Sequence, residues 1–320
     1  MSHRSTRRPV LGSLADKQID AQTNAVSPGH GLSRRSLLQA LALGGAAAGV
    51  PLARAQAPAV QPPAPSPMAG DWLIEAGWVL AEVEGTLKLQ RNALVLVRNG
   101  LIEAVRAEGE APLRAPAKRL SLPGDILLPG FISGHTHCCS ATPTRGIIEN
   151  PRSYRRPLEL VERLADDELD ALTALNLAEL LRSGCTTQVE MSLSLRQAEA
   201  YVRQAVHLGA RGYPGAMIPG IERLFDIWFR SEDQVLHHSE PDTLAEIARN
   251  LGFCKAHMGK GEGRIQPMLS PHACDTHTPA TLRALADGAR ELGTGLHIHL
   301  SQGKAETETV RRLWGKTPTQ

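Results

Sequence analysis

The alternation of apolar and polar residues divides the chain into two kinds of region. In residues 71–125, apolar side chains recur at about every second position in the runs DWLIEAGWVLA, NALVLV and LIEAV. This period of two is that of a half-buried β-strand, and Asn99-Gly100 between the last two runs is a strong signal for a tight hairpin turn. The region is therefore predicted to be a small β-sheet domain.

Beyond residue 125, short apolar runs alternate with longer stretches of helical spacing. This order predicts parallel strands joined by crossover helices, which is the α/β class and here the (β/α)8-type TIM barrel. Strands are predicted from Phe131 and at 185–191, 210–218, 264–270 and 294–300, and helices at 167–182, 195–208, 242–251, 279–292 and 304–314. Because a closed barrel has eight strands, residues 126–320 are expected to form a partial barrel, truncated after about five strands and poorly soluble by itself.

The first 55 residues have the pattern of an export signal. Ser33-Arg34-Arg35-Ser36 precedes a modest apolar run, and Ala53-Arg54-Ala55 resembles a cleavage site. The paired arginines indicate the twin-arginine pathway and hence a periplasmic protein. The apolar run is too short for a membrane span, so none is expected after cleavage; an uncleaved anchor is the alternative. The proline-rich residues 56–70 are predicted to be an extended linker.

Composition narrows the class of partner. Of 320 residues, 42% are hydrophobic and 21% are charged, and the net charge is only +2, as is typical of a globular protein without a basic surface for nucleic acid. Aromatic residues make up 3%, too few for a platform on which bases stack. We therefore expect no nucleic-acid partner. The five cysteines are odd in number, and Cys138 and Cys139 are expected to pack in the core as free thiols.

Two histidines end the first predicted barrel strand. In LLPGFISGHTH, residues 127–137, His135 and His137 share one face of the strand, and Thr136 between them is turned away. A second pair lies in GLHIHLSQ, residues 295–302. The carboxyl ends of barrel strands converge, so imidazoles from both segments can meet around one divalent cation. For either pair alone, a chance pair or two hydrogen-bonded core histidines is the alternative.

Four motifs in the order LLPGFISGHTH, RSGCTT, SPHACDT and HIHLSQ resemble the amidohydrolase superfamily, and most of all its mononuclear metal-dependent deaminases and triazine chlorohydrolases. The resemblance runs from about residue 71 to the last residue. It implies that His135, His137 and His299 bind a metal, with His297 as a neighbour of the site. Zinc is the expected metal, and iron(II) also accepts imidazole ligands. The predicted fourth strand lacks the lysine of binuclear members, which implies one metal ion.

The resemblance also assigns residues around the metal. It implies that His272, in SPHACDT, contacts the substrate, and it places Gln302 where ring deaminases carry a proton-transferring glutamate. A glutamine forms hydrogen bonds but cannot deliver a proton, which puts deamination by the usual route in doubt. Arg145 either meets an anionic or carbonyl group of the substrate or is solvated. Glu306 is predicted to lie on the surface.

Two hypotheses about function follow. In the first, metal-activated water attacks a C–N or C–halogen bond of a small polar or heteroaromatic substrate, as the resemblance implies. In the second, the chain is an inactive remnant or a fragment, because the family's later strands supply a further histidine and a metal-binding aspartate that cannot be located in this sequence. The oligomeric state is left open.

Overall fold

The computed structural model describes residues 70–110, 118–140, 160–220 and 239–320. Within these ranges, eight strands form two sheets of four strands each. The predicted signal peptide, nearly all of the predicted linker and Arg145 lie outside the described residues.

The first sheet is the small β-sheet that the sequence predicts. Its strands are β1 (Trp72–Val83), β2 (Thr86–Arg98), β3 (Leu101–Arg106) and β4 (Lys118–Leu127), in the order β3-β2-β1-β4. Strand β1 runs antiparallel to β2 and parallel to β4. The turn between β2 and β3 is Asn99-Gly100, whose φ angles of 50° and 76° are those that a tight hairpin turn requires.

The second sheet is parallel and has the order β5-β6-β7-β8. Its strands are β5 (Phe131–Thr136), β6 (Cys185–Ser192), β7 (Arg211–Ile218) and β8 (Ser270–Pro271). The helices are α1 (Asp166–Arg182), α2 (Leu195–Leu208), α3 (Glu240–His257), α4 (Pro279–Leu292) and α5 (Lys304–Trp314). The predicted alternation of strand and helix is confirmed.

Local capping residues explain both ends of α2 and the start of α3. The Ser194 side chain accepts a hydrogen bond from the Gln197 N–H at the start of α2, and Gly209 ends that helix with a φ of 74°. Helix α3 begins before the predicted residue 242 because Ser239 and Asp242 form a capping box, and it runs on past the predicted residue 251 to His257. None of the described helices is long and apolar enough to cross a membrane.

Two of the predicted strands were wrong in extent. Strand β8 comprises only Ser270–Pro271 and overlaps the predicted 264–270 at one residue. Gln266 and Met268 still donate their N–H groups to the carbonyls of Gly212 and Pro214 on β7. Pro214, however, has no N–H to donate in return, which leaves the ladder irregular. The predicted strand 294–300 contacts its neighbour only through single bridges at Leu296 and His299. There, the N–H groups of His297 and His299 donate to the carbonyls of Leu269 and His272, respectively, an uneven spacing that breaks the regular ladder.

The main core lies where the helices pack against the parallel sheet. Its fully buried members include Leu169, Leu177, Tyr201, Ile218 and Leu285. On β5, which is an edge strand of the sheet, Phe131 is 55% exposed and Ile132 is 70% exposed, so the described residues do not cover these side chains. Poor solubility of the chain alone stays a prediction.

Candidate metal centre

Three histidines from two segments meet at the carboxyl end of the parallel sheet. His135 lies near the end of β5 and His137 follows that strand, while His299 comes from the bridged segment 294–300. Nε2 of His137 is 3.1 Å from Nε2 of His135 and 3.4 Å from Nε2 of His299. One ring nitrogen of each residue lies within 4.8 Å of the others. The structure therefore brings together the three residues predicted to bind a metal.

Hydrogen bonds to the other ring nitrogens orient two of these rings. Nδ1 of His137 lies 2.6 Å from the carbonyl oxygen of Met191, and Nδ1 of His299 lies 2.8 Å from that of His272. A carbonyl only accepts, so each Nδ1 donates its hydrogen and each Nε2 keeps a free lone pair. This arrangement is typical of metal-binding histidines. His135 is oriented by a side chain instead, because its Nδ1 lies 2.8 Å from Nε2 of His297.

The spacing of the ring nitrogens fits a small divalent metal. Zinc binds imidazole nitrogen at about 2.0–2.1 Å in tetrahedral geometry, which places two ligand nitrogens about 3.3 Å apart. The separations of 3.1 and 3.4 Å between His137 and its two partners match that value. Three imidazoles with a fourth position left for water form an ordinary catalytic zinc set.

Burial keeps these imidazoles neutral. Desolvation lowers the pKa of His137 to about 4, against the opposing effect of its bond to Met191. Desolvation also lowers the pKa of His135, with a further contribution from His299, and lowers that of His299. Since metals bind the neutral imidazole, the ligand set is ready for a cation at neutral pH.

Two further histidines border the three. His272 is buried just beyond β8, with its ring centroid 5.3 Å from that of His299, and burial is the main cause that lowers its pKa to about 3. His297 lies against His135 but is not a member of the group of three. It therefore occupies the neighbouring place that the sequence suggested, while contact between His272 and a substrate stays a prediction.

The segment after His299 is fixed by a carboxylate. The Glu306 side chain accepts hydrogen bonds from the backbone N–H groups of Ser301 at 3.1 Å and Gln302 at 2.5 Å. Glu306 is only 5% exposed, so its predicted surface position was wrong. It lies in the first turn of α5 and reaches back past the N-cap residue Gly303 to the two residues before it. Gln302 itself is exposed, and its predicted role stays a prediction.

The two adjacent cysteines pack as predicted. Cys138 is 1% exposed and Cys139 is fully buried, both in a short 3-10 helix after His137. Burial raises the pKa of both thiols, with Glu190 as the next cause. Neither belongs to the group of described residues that can hold a metal.

One buried acid beside the histidines was missed by sequence reasoning. Glu190 on β6 is fully buried, and its carboxylate accepts hydrogen bonds from Thr136 Oγ1 at 2.5 Å, the Cys138 N–H at 2.8 Å and Ser192 Oγ at 2.9 Å. Burial raises its pKa to about 7 even though these bonds oppose the rise. The signal in the sequence is a single carboxylate within the strand CTTQVEMS.

These features define a class of protein. Parallel strands that alternate with helices and carry imidazoles at their carboxyl ends are typical of metal-dependent hydrolases with a barrel fold. The Amidohydrolase family model matches residues 126–319. The chain belongs to this family, and the resemblance seen in its motifs is confirmed.

Individual relatives show the same relationship over part of their length. A 5-methylthioadenosine/S-adenosylhomocysteine deaminase from Symbiobacterium thermophilum is 32% identical over 252 residues, which cover 77% of this chain and 52% of that protein. A zinc-bound adenosine deaminase structure from Xanthomonas campestris is 25% identical with a TM-score of 0.61, covering 78% of this chain and 54% of that one. The chain therefore spans about half the length of these relatives.

A further solved structure agrees in fold. The zinc complex of atrazine chlorohydrolase from Arthrobacter aurescens TC1 is 18% identical with a TM-score of 0.62, covering 78% of this chain and 56% of that one. The predicted amidohydrolase-type TIM barrel, represented here by part of its length and preceded by a small sheet, is confirmed.

Proposed function

We propose that the protein carrying this sequence is a metal-dependent hydrolase that acts on a C–N bond of a small heteroaromatic molecule. The observation that carries the proposal is the meeting of His135, His137 and His299 at the carboxyl end of the parallel sheet. The deaminases among its relatives support the type of bond. The inactive-remnant hypothesis has no comparable support from the relatives.

The chain's own residues suggest how the site is used. A divalent metal, when bound, supplies a Lewis acid that lowers the pKa of a coordinated water. The carbonyls of Met191 and His272 accept from Nδ1 of His137 and His299, respectively, which leaves Nε2 of each ring free to bind the metal. Buried His272, at the rim of this group, is proposed to contact the substrate ring. Zinc is the proposed metal, because three imidazoles suit it and two solved structures of similar fold contain it.

The proposed reaction can release either an amino group or chloride. We propose an amino group on an adenine-type ring as the first candidate, in line with the deaminase relatives, and chloride on a triazine ring as the second, since the fold of a chlorohydrolase is similar. Gln302 bears on this choice because an amide donates and accepts hydrogen bonds but does not transfer a proton. Arg145, outside the described residues, is proposed as a further contact to the substrate.

Turnover by the zinc-loaded protein tests the proposal. Ammonia release is measured with 5-methylthioadenosine, S-adenosylhomocysteine and adenosine, and chloride release with atrazine. We expect activity on at least one compound, its loss in His299→Ala, and its retention in His207→Ala, which removes an exposed histidine of α2. A folded protein that binds no zinc and releases neither product would instead support the inactive remnant.

The role of Gln302 has its own test. Gln302→Glu adds a carboxyl group that can transfer a proton, so kcat for ammonia release is expected to rise. An unchanged kcat in this variant would show that residue 302 does not act on the leaving group.

We also propose export to the periplasm through the twin-arginine pathway, on the basis of Arg34-Arg35 and the apolar run that follows. Fractionation and N-terminal sequencing of the mature protein test this. Replacement of both arginines by lysine is expected to retain the precursor in the cytoplasm. Export that continues in this double variant would contradict the proposal.

A further inference from the structure

The carboxylate of Glu190 accepts hydrogen bonds from both chain neighbours of His137. Its Oε2 accepts from the Thr136 hydroxyl at 2.5 Å and from the Cys138 N–H at 2.8 Å. These two residues immediately precede and follow His137 in the chain. Thr136 is also paired with Glu190 in the β5–β6 register. One carboxylate oxygen thus bonds both residues that flank a predicted metal ligand.

Two further groups complete the hold on this segment. Asn176 of α1, which is 3% exposed, donates from its side chain to the Cys138 carbonyl at 2.5 Å. The Met191 carbonyl, next to Glu190 on β6, accepts from the ring of His137 at 2.6 Å. Strand β6 therefore contacts His137 twice, through its imidazole and through the flanking backbone, while α1 holds the Cys138 peptide from the other side.

We propose that Glu190 is a positioning residue that sets the distance and direction of the His137 imidazole toward the metal. This inference rests on the proposed metal-dependent function. Burial disfavours the charged form of Glu190 and raises its pKa to about 7. The three hydrogen-bond donors directed at it from Thr136, Cys138 and Ser192 offset the cost of this burial.

Strand β6 offers a matched control for the loss of a buried polar side chain. Gln188 precedes Glu190 by two residues and is also fully buried, but its side chain bonds Tyr201 and the Cys185 carbonyl and makes none of the described hydrogen bonds to residues 136–138. A purely structural role for Glu190 predicts similar effects of Glu190→Ala and Gln188→Ala. A positioning role predicts that only the first variant alters the metal site.

Cobalt(II) titration of the metal-free protein, followed by its visible absorption bands, provides a readout that does not depend on turnover. Glu190→Ala is expected to weaken Co²⁺ binding about tenfold or more and to shift the bands, as loss of an outer partner of a metal ligand does. Gln188→Ala is expected to keep the affinity and bands of the original protein. Glu190→Gln is expected to bind Co²⁺ with nearly the affinity and absorption bands of the original protein, since its amide oxygen can still accept from Thr136 and Cys138.

A second pair of variants covers the case in which Glu190→Ala does not fold. Thr136→Val and Ser192→Ala each remove one hydroxyl donor from the same carboxylate, but only Thr136 belongs to the ligand-bearing segment. We expect about threefold weaker Co²⁺ binding and shifted bands in Thr136→Val alone, a size appropriate to one hydrogen bond. Equal effects of the two hydroxyl deletions would overturn the positioning role.

The results separate this inference from the proposed function. If the original protein binds Co²⁺ and Glu190→Ala behaves like Gln188→Ala, only the positioning role fails. If the original protein shows no Co²⁺ bands at all, both the metal-dependent function and the positioning role are refuted.

Discussion

Protonation of a buried histidine next to the site should make the protein sensitive to acid. His277 is fully buried, with Nε2 3.1 Å from the Ile218 carbonyl and Nδ1 3.2 Å from Thr281 Oγ1. The same carbonyl also accepts from the His272 N–H at 2.9 Å. The His277 ring thus ties the loop that carries His272 to the end of β7.

The size of the effect follows from the pKa of His277. Burial is the main cause that lowers it from 6.5 to about 4 in the folded protein. As the pH falls below 6.5, the unfolded chain binds a proton at this residue before the folded chain does, so the contribution to stability is complete above pH 6.5 and is lost toward pH 4. At about 1.36 kcal/mol for each pH unit, the full loss is about 3 kcal/mol.

Urea unfolding at pH 7.5 and pH 4.5 measures this contribution. His277→Gln keeps an amide that can donate to the Ile218 carbonyl but cannot be protonated. We expect the stability lost between the two pH values to be smaller by about 2–3 kcal/mol in this variant. His207→Gln, at an exposed position of α2, should lose as much stability as the original protein. An equal loss in all three proteins would refute the reasoning.

Two further predictions concern packing and capping. Gly215→Ala is expected to destabilise the fold by about 1–3 kcal/mol, since the new Cβ would lie 2.4 Å from the Met268 carbonyl oxygen. Gly252→Ala lies in open space within α3 and is expected to be neutral or to stabilise by up to about 1 kcal/mol. Urea unfolding that gives the two variants the same stability would contradict this. Glu306→Ala is expected to cost about 1 kcal/mol because two backbone N–H groups lose their acceptor. Glu308→Ala, which removes an exposed ion pair, should change the melting temperature little. An equal fall in both variants would argue against a stabilising role for the bonds of Glu306 to residues 301 and 302.

The elements predicted best are those whose ends are determined locally. Helix 195–208 was predicted at its observed bounds, because Ser194 and Gly209 cap it and its apolar spacing is regular. The predicted strand 264–270 depended instead on a ladder with a distant segment, in which Pro214 of β7 has no N–H to donate. Strand extent is set by partners far away in the sequence, so periodicity alone could not define it.

The site shows the same division between local pattern and distant contact. The histidine motif predicted that His135 and His137 share a face, since that follows from strand geometry alone. The buried carboxylates of Glu190 and Glu306 were not predicted in their roles, because both are satisfied largely by backbone N–H groups and hydroxyls that only the fold brings near. Charged residues are normally exposed, and without their partners a sequence gives little reason to bury them.

The most direct test of the metal centre is a crystal of the zinc-loaded protein measured at the zinc absorption edge. We predict one anomalous peak about 2.0–2.1 Å from a ring nitrogen of each of His135, His137 and His299. A folded protein with no peak at these three rings, or with its zinc bound elsewhere, would contradict the account.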